Sequence, residues 1–290
     1  MRKVIILIPI FNDWESLEKL ISEIDESVDG LKEYLFDCLI INDASSIESP
    51  KLKKPKNLNS IKIFNMKENK GHARCNAFGI RYVNNNENFD YLILMDGDGE
   101  DRPVEIKNLV DGTKKNPNYS VVAKRIKRSE GYFFQFLYFF HKLITLIFTG
   151  KKINFGNYSC LNKNDVQIIS TKASLWSSYS GTIKKYIKNY KEVDSIRGSR
   201  YFGPSKMSIG RLILHSFSII AVFKYQVLFR SFIFLLAIYY FKNYFEILSH
   251  LLFVGLIFFN FMIFTVSLRE KKDELFKSQE NLKNIEEISH

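Results

Sequence analysis

The stretch "LILMDGDGEDRP", residues 92–103, decides the fold. An apolar run, Tyr91–Met95, ends abruptly in four carboxylates within six residues: Asp96, Asp98, Glu100 and Asp101. Crowded like charges raise one another's energy unless a cation sits among them. Gly97 and Gly99 let the backbone bend sharply, and Pro103 stands where a helix favours proline, in its first turn. Strand, acidic turn and helix in succession form one unit of an open α/β sheet. In such sheets ligands bind beyond the carboxyl ends of the strands, which is where the cluster falls.

The same alternation runs back to the N-terminus. Val4–Ile8 is a near-continuous apolar run, the pattern of a strand covered on both faces. It is short and ends in Pro9 and "NDWE", which argues against a secretory signal. Asn12 reads as an N-cap with Glu15 as its capping-box partner. Leu17, Leu20, Ile21, Ile24 and Val28 follow at helical spacing. Phe36–Ile41 and Ile61–Met66 read as strands, Gly71–Val83 as a helix and Ser120–Ala123 as a fifth strand. The expectation is an α/β fold with an open, mostly parallel sheet. Residues 157–206 read as polar and loop-rich.

Composition narrows the function classes. The 290 residues are 46% hydrophobic, with 26 Phe, so the chain is not disordered. The net charge of +11 suits a polyanionic partner. Lys and Arg are nonetheless spread along the chain with no nucleic-acid-binding motif, and nucleic acid is excluded as a partner. Cys38, Cys75 and Cys160 show neither metal spacing nor a disulfide framework, and read as buried residues in a reducing compartment. The acidic stretch is not an EF-hand. Counting from Asp96, that loop needs Gly sixth and Glu twelfth, and this chain has Asp101 and Lys107. What remains is a divalent cation, Mg2+ or Mn2+, held by few carboxylates and shared with substrate phosphates.

Here a resemblance enters. "MDGDGEDRP" resembles the Asp-x-Asp segment of family 2 glycosyltransferases with the GT-A nucleotide-sugar-binding fold. It is most similar to the dolichyl-phosphate mannosyltransferase-like branch, which loads sugars onto polyprenyl phosphates. Other segments match in order. "ILIPIFNDWESL" (6–17) resembles the first strand and its Pro-x-Tyr-Asn-Glu turn, with Phe11 for Tyr and Asp13 for Glu. "LIINDASS" (39–46) resembles the Asp-Asp-Gly-Ser segment, with Asn42 and Ala44 as departures. "NKGHARCNAFGI" (69–80) is similar to the helix beginning Gly-x-x-x-Arg. "GNYSCLNK" (156–163) falls where the family has Gly-Asp-Phe-Arg-Leu, with Asn157 in place of Asp. "RGSRYFGPSKMS" (197–208) resembles Arg-x-x-Gly-x-Ser-Lys-Tyr, the most specific match.

The resemblance implies roles. Asp98, with Asp96, is the metal ligand, and Asp96 also serves the nucleotide. Glu100 and Asp101 complete the catalytic group, orienting sugar or acceptor, although acidic residues ahead of a helix are an equally ordinary sight. Pro9, Phe11, Asn12, Asp43, Gly71 and Arg74 are the nucleotide-binding candidates. Arg197, Arg200, Ser205 and Lys206 are the acceptor-phosphate candidates, and a guanidinium fork and an ammonium both suit phosphate. The amide at Asn157 removes a carboxylate that a hydroxyl acceptor would need as a base. A phosphate acceptor is already ionised and needs none.

The expected organisation is a catalytic domain over 1–206 with an interfacial helix at 132–148. A juxtamembrane helix (207–222), a two-span transmembrane hairpin (223–268) and a charged cytoplasmic tail (269–290) follow. Lys and Arg flank both outer ends of the hairpin, while the turn carries only Lys242, which places the catalytic domain on the cytoplasmic side of the inner membrane. The expected function is a metal-dependent, inverting transfer of a sugar from a nucleoside diphosphate sugar (uridine or guanosine) to polyprenyl phosphate. The alternatives are transfer to a hydroxyl of a lipid-linked saccharide in cell-surface polysaccharide synthesis, and a non-catalytic membrane scaffold. A homo-oligomer is left open.

Overall fold

A computed structural model describes residues 1–53, 55–127, 132–203 and 208–288, with backbone alone for 127 and 132–135. Strands β1 (Arg2–Ile10), β2 (Tyr34–Asn42), β3 (Leu58–Met66) and β4 (Tyr91–Leu94) alternate with helices α1 (Trp14–Val28) and α2 (His72–Asn86). The chain continues through α3 (Ile106–Lys115), β5 (Ser120–Lys127), α4 (Tyr132–Thr149), β6 (Phe155–Asn162), α5 (Lys163–Ile169), α6 (Tyr179–Tyr186) and β7 (Tyr190–Ile196). It ends in α7 (Ile209–Ala221), α8 (Lys224–Phe241), α9 (Glu246–Ser267), α10 (Lys272–Phe276) and β8 (Leu282–Glu287).

All eight strands share one open mixed sheet in the order β7-β5-β6-β4-β1-β2-β3-β8. β4, β1, β2 and β3 are mutually parallel. Their carboxyl ends, and the acidic loop after β4, therefore share one edge. β6 and β8 run antiparallel to their neighbours. Burial follows the apolar runs. Val4–Ile8 are fully buried, and Leu17, Leu20, Ile21, Ile24 and Val28 turn the inner face of α1 to the sheet. The three cysteines are buried thiols.

Four expectations need correction or refinement. Asp13, not Asn12, precedes α1, and no side chain caps it. Asn12 adopts φ 52°, and its side-chain oxygen accepts from the backbone N–H of Ser46 (2.8 Å) and Ile47 (3.1 Å), tying the turn after β1 to the turn after β2. Residues 157–206 are not mainly loop: they hold most of β6, all of β7, and α5 and α6. The tail is not a separate appendage, because β8 pairs antiparallel with β3 as the sheet's outer strand. Finally, among the described residues one helix, beginning at Glu246, is long and apolar enough by itself to cross a membrane. α8 falls short alone, carrying Lys224, Gln226 and Arg230 in its first two turns. With α7 it qualifies only as a pair bent by 87°.

Candidate active site

Each carboxylate of the acidic loop meets a basic side chain. The Asp96 carboxylate accepts from the Asn157 side-chain amide (3.1 Å) and pairs with His72 Nε2 (3.0 Å). Asp98 pairs with Arg200 (2.9 Å), whose guanidinium also reaches Asp13. Glu100 pairs with Arg197. Asp101, almost fully buried, lies 3.6 Å from Arg125 and accepts from the Asp96 backbone N–H (3.0 Å).

The arginines arrive by backbone stitching. The segment after β7 lies against the acidic loop, with Gly198 N–H donating to the Glu100 carbonyl (2.8 Å) and Tyr201 N–H to the Asp98 carbonyl (3.0 Å). The buried Glu105 carboxylate accepts from Ile196 N–H (2.8 Å) and anchors the start of this segment. Gly99 has φ +88° beneath the Tyr201 ring, where a Cβ would lie 2.4 Å from ring carbon. Glycine is required there on both counts.

The charges do not balance evenly. Burial would raise Asp96, but His72, Arg125 and the Asn157 amide outweigh it and hold Asp96 well below the usual carboxylate range. Burial, then the charges of Asp96 and Glu100, push Asp98 up to about 6. Burial and Asp96 push Asp101 up to about 7. Burial lowers His72, but Asp96 more than offsets it and the net shift is upward. Asp98 is raised by Asp96 and Glu100 on top of its burial, and a divalent cation held by Asp98 and Asp96 would relieve that crowding. Among the described residues no cluster of three His, Cys, Asp or Glu forms a closed metal cage.

The nucleotide-side candidates line the same sheet edge. Pro9 pairs opposite Ile41 one residue before β1 ends, and Phe11 is 42% exposed in the following turn. The Asp43 carboxylate accepts from the backbone N–H of Lys70 and Gly71, both at 2.8 Å, which fixes the start of α2 and its Arg74. Ala44 stands at the family's glycine position and takes φ 56°. Ser205 and Lys206 lie outside the described residues. His72, Arg125 and Asp13 were not singled out in the sequence. His72 does sit directly after Gly71 in the helix motif, and Asp13 at the motif's Glu position. Arg125, beyond the predicted end of its strand, carried no signal.

Comparisons with known proteins bear on the fold and the family. The fold resembles glucosyl-3-phosphoglycerate synthase from Mycobacterium tuberculosis, solved with Mn2+, uridine-diphosphate-glucose and phosphoglyceric acid. The TM-score is 0.55 at 12% identity, over 78% of this chain and 80% of that one. Mannosyl-3-phosphoglycerate synthase from Rubrobacter xylanophilus matches with a TM-score of 0.55 at 11% identity, over 76% of this chain and 72% of that one. At such identities the likeness is one of fold, the GT-A fold. The family model described as glycosyl transferase family 2 matches residues 5–176, more than half of the chain. The chain belongs to glycosyl transferase family 2 and is a glycosyltransferase.

Proposed function

We propose that the protein moves a sugar from a nucleoside diphosphate sugar to polyprenyl phosphate at the inner face of the cytoplasmic membrane, with inversion, as in the dolichyl-phosphate mannosyltransferase-like branch. The observation that carries the acceptor is the pair of guanidiniums, Arg197 and Arg200, held against Glu100 and Asp98 by the segment after β7. Planar forks of this kind suit phosphate oxygens. Asn157 supports the same reading, since its amide orients Asp96 and cannot remove a hydroxyl proton. An ionised phosphate oxygen attacks without such a base.

The fold similarity to an enzyme solved with Mn2+ and a nucleotide sugar supports a metal-dependent donor site at the acidic loop. A divalent cation bound there supplies charge stabilisation to the departing diphosphate. Asp98 and Asp96 would hold it, while His72 and Asn157 fix the Asp96 carboxylate and Asp43 fixes the loop that opens α2.

Membrane attachment is supported by surface chemistry. Phe229, Phe232, Leu251, Val254, Phe258 and Phe261 on α8 and α9 are 50% or more exposed. Exposed apolar surface on that scale is unusual for a protein in water. α4 packs against both helices through Phe148, 5.6 Å from Phe234 and 4.4 Å from Phe259, and leaves Phe136, Phe139 and Phe140 outward. His141 and Lys142 interrupt its apolar sequence midway, so it suits the interface.

Two crossings are supported by a parity argument. β8, after α9, pairs with β3 of the catalytic sheet. A chain that leaves one side of a bilayer and returns to the same sheet has crossed an even number of times. The 87° bend between α7 and α8 suits a helix along the surface followed by one across it.

The test is a transfer assay. The purified protein is incubated with a panel of nucleotide sugars, Mn2+ or Mg2+, and either polyprenyl phosphate or a lipid-linked saccharide. The proposal predicts a sugar-phosphate lipid. Sugar added only to a saccharide hydroxyl would replace it with the second reading.

A further inference from the structure

Ahead of β8, the returning segment lines a cavity. It has a volume of about 490 Å³ and lies between the start of α2 and residues 273–281. Asp43, Arg74 and Trp176 line one side; Glu274, Ser278 and Asn281 line the other. The size falls within the range of small-molecule pockets. It also carries an unanswered polar group: the Ser278 hydroxyl is buried and has no hydrogen-bond partner among the described residues. Buried hydroxyls without partners are rare and costly.

The far wall is built, not draped. Leu275 is fully buried in the main core, and the Arg81 guanidinium stacks 3.9 Å from the Phe276 ring. Glu274 accepts from Trp176 Nε1 (3.0 Å). Asn281 grips the loop before α2 from both sides of its amide, accepting from Glu68 N–H (3.1 Å) and donating to the Glu68 carbonyl (3.0 Å). Lys67 N–H donates to the Asn281 carbonyl (2.7 Å). That same loop supplies the two N–H groups that hold Asp43.

We infer that residues 273–281, which follow the membrane-facing helices and lie outside the family-matched region, form one wall of the donor's nucleoside subsite and select its base. The inference rests on the nucleoside diphosphate sugar reading above. A heterocyclic base presents flat apolar faces and a polar edge. This cavity offers both an aromatic side chain and mixed donors and acceptors. The Ser278 hydroxyl and the Glu274 and Asn281 side chains then meet an edge that differs between uracil and guanine.

The test uses the full chain in nanodiscs with Mn2+. Affinities for uridine diphosphate, guanosine diphosphate and inorganic diphosphate are measured for the unaltered protein and for Ser278→Val and Glu274→Gln. The expected result is a loss of about tenfold for the preferred nucleoside diphosphate, the scale of one lost hydrogen bond. The ratio between the two nucleotides shifts, and inorganic diphosphate stays within about twofold. Equal loss for all three ligands, or no loss for any, overturns the assignment while leaving the donor reading in place. Failure of the unaltered protein to bind either nucleoside diphosphate overturns both. Should a substitution unfold the sheet edge, photolabelling of the unaltered protein by an azido-uridine diphosphate decides it: adducts on 273–281 are expected, and adducts confined to the family-matched region contradict the assignment.

Discussion

β1 and α9 are built from the same residue types and treat them in opposite ways. Val4–Ile8 are fully buried, whereas Leu251, Val254 and Phe261 are 67%, 65% and 64% exposed. Burial of β1 removes apolar surface from water and stabilises the sheet. An equal exposure on α9 would be a liability in water. On the proposed membrane reading the difference is one of solvent, water and protein interior for the sheet and lipid for α9. The acidic loop lies at the sheet edge of the first region, and the segment carrying Arg197 and Arg200 joins that edge to the second.

The largest expected effect lies at the site itself. Asp98→Ala should lower transfer on the order of a thousandfold, because it removes several kcal/mol of leaving-group stabilisation. Excess EDTA should do the same to the unaltered enzyme, with circular dichroism unchanged in both cases. Full activity in EDTA would remove the metal from the account.

Two substitutions sharpen the contrast between the regions. Ile6→Ala should cost about 2–5 kcal/mol of domain stability by leaving a cavity in the sheet core. Val254→Arg, near the middle of α9, should cost about 2.5–3.5 kcal/mol of membrane insertion, read as release of the protein from membranes by alkaline extraction. A water-facing position would tolerate that change within about 0.5 kcal/mol. If Val254→Arg leaves membrane retention unaltered, the two-solvent contrast fails.

Charge in the acidic loop gives a pH dependence. Asp98 and Asp101 titrate higher in the folded protein than in the unfolded chain, so their ionisation destabilises the fold as pH rises toward and through their folded values. His72 is also raised, so its contribution is present at low pH and lost as pH climbs through its folded value. All three act in one direction. Without metal, Tm should fall by a few degrees from about pH 5 to about pH 8, and saturating Mn2+ should remove most of that fall. A Tm rising over this window without metal would contradict the charge assignment.

The smallest effect is at the turn after β2. Ala44 takes φ 56°, a conformation in which an L side chain is strained by about 1–2 kcal/mol. Ala44→Gly relieves that strain but loosens the unfolded chain. The expected net gain is below about 1 kcal/mol by urea denaturation. A loss would show that the turn does not set the strain.

The parallel half was legible because its signals are local. Continuous apolar runs became β1, β2, β3 and β4, and helical spacing became the buried face of α1. Asp43, Asp96, Asp98, Arg197 and Arg200 were found as site candidates through motif order, and the structure brings the last four together. β7, "YKEVDSI", and β8, "LKNIEE", were missed because polar edge strands carry little periodic signal. β8 finds its partner strand more than two hundred residues upstream, and no local pattern encodes such a pairing. His72 and Arg125 were missed because only the fold brings them to Asp96 and Asp101.

The central claim is that the chain leaves the catalytic side, crosses a membrane and comes back to complete its own sheet. Cysteine labelling in sealed vesicles tests it directly, since the three native cysteines are buried. Single cysteines replace the exposed residues Lys188 in the catalytic domain, Tyr244 in the turn between α8 and α9, and Lys283 in β8. The account predicts that Lys188→Cys and Lys283→Cys label from the same side and Tyr244→Cys from the other. Labelling of all three from one side, or of Lys188→Cys and Lys283→Cys from opposite sides, would contradict it.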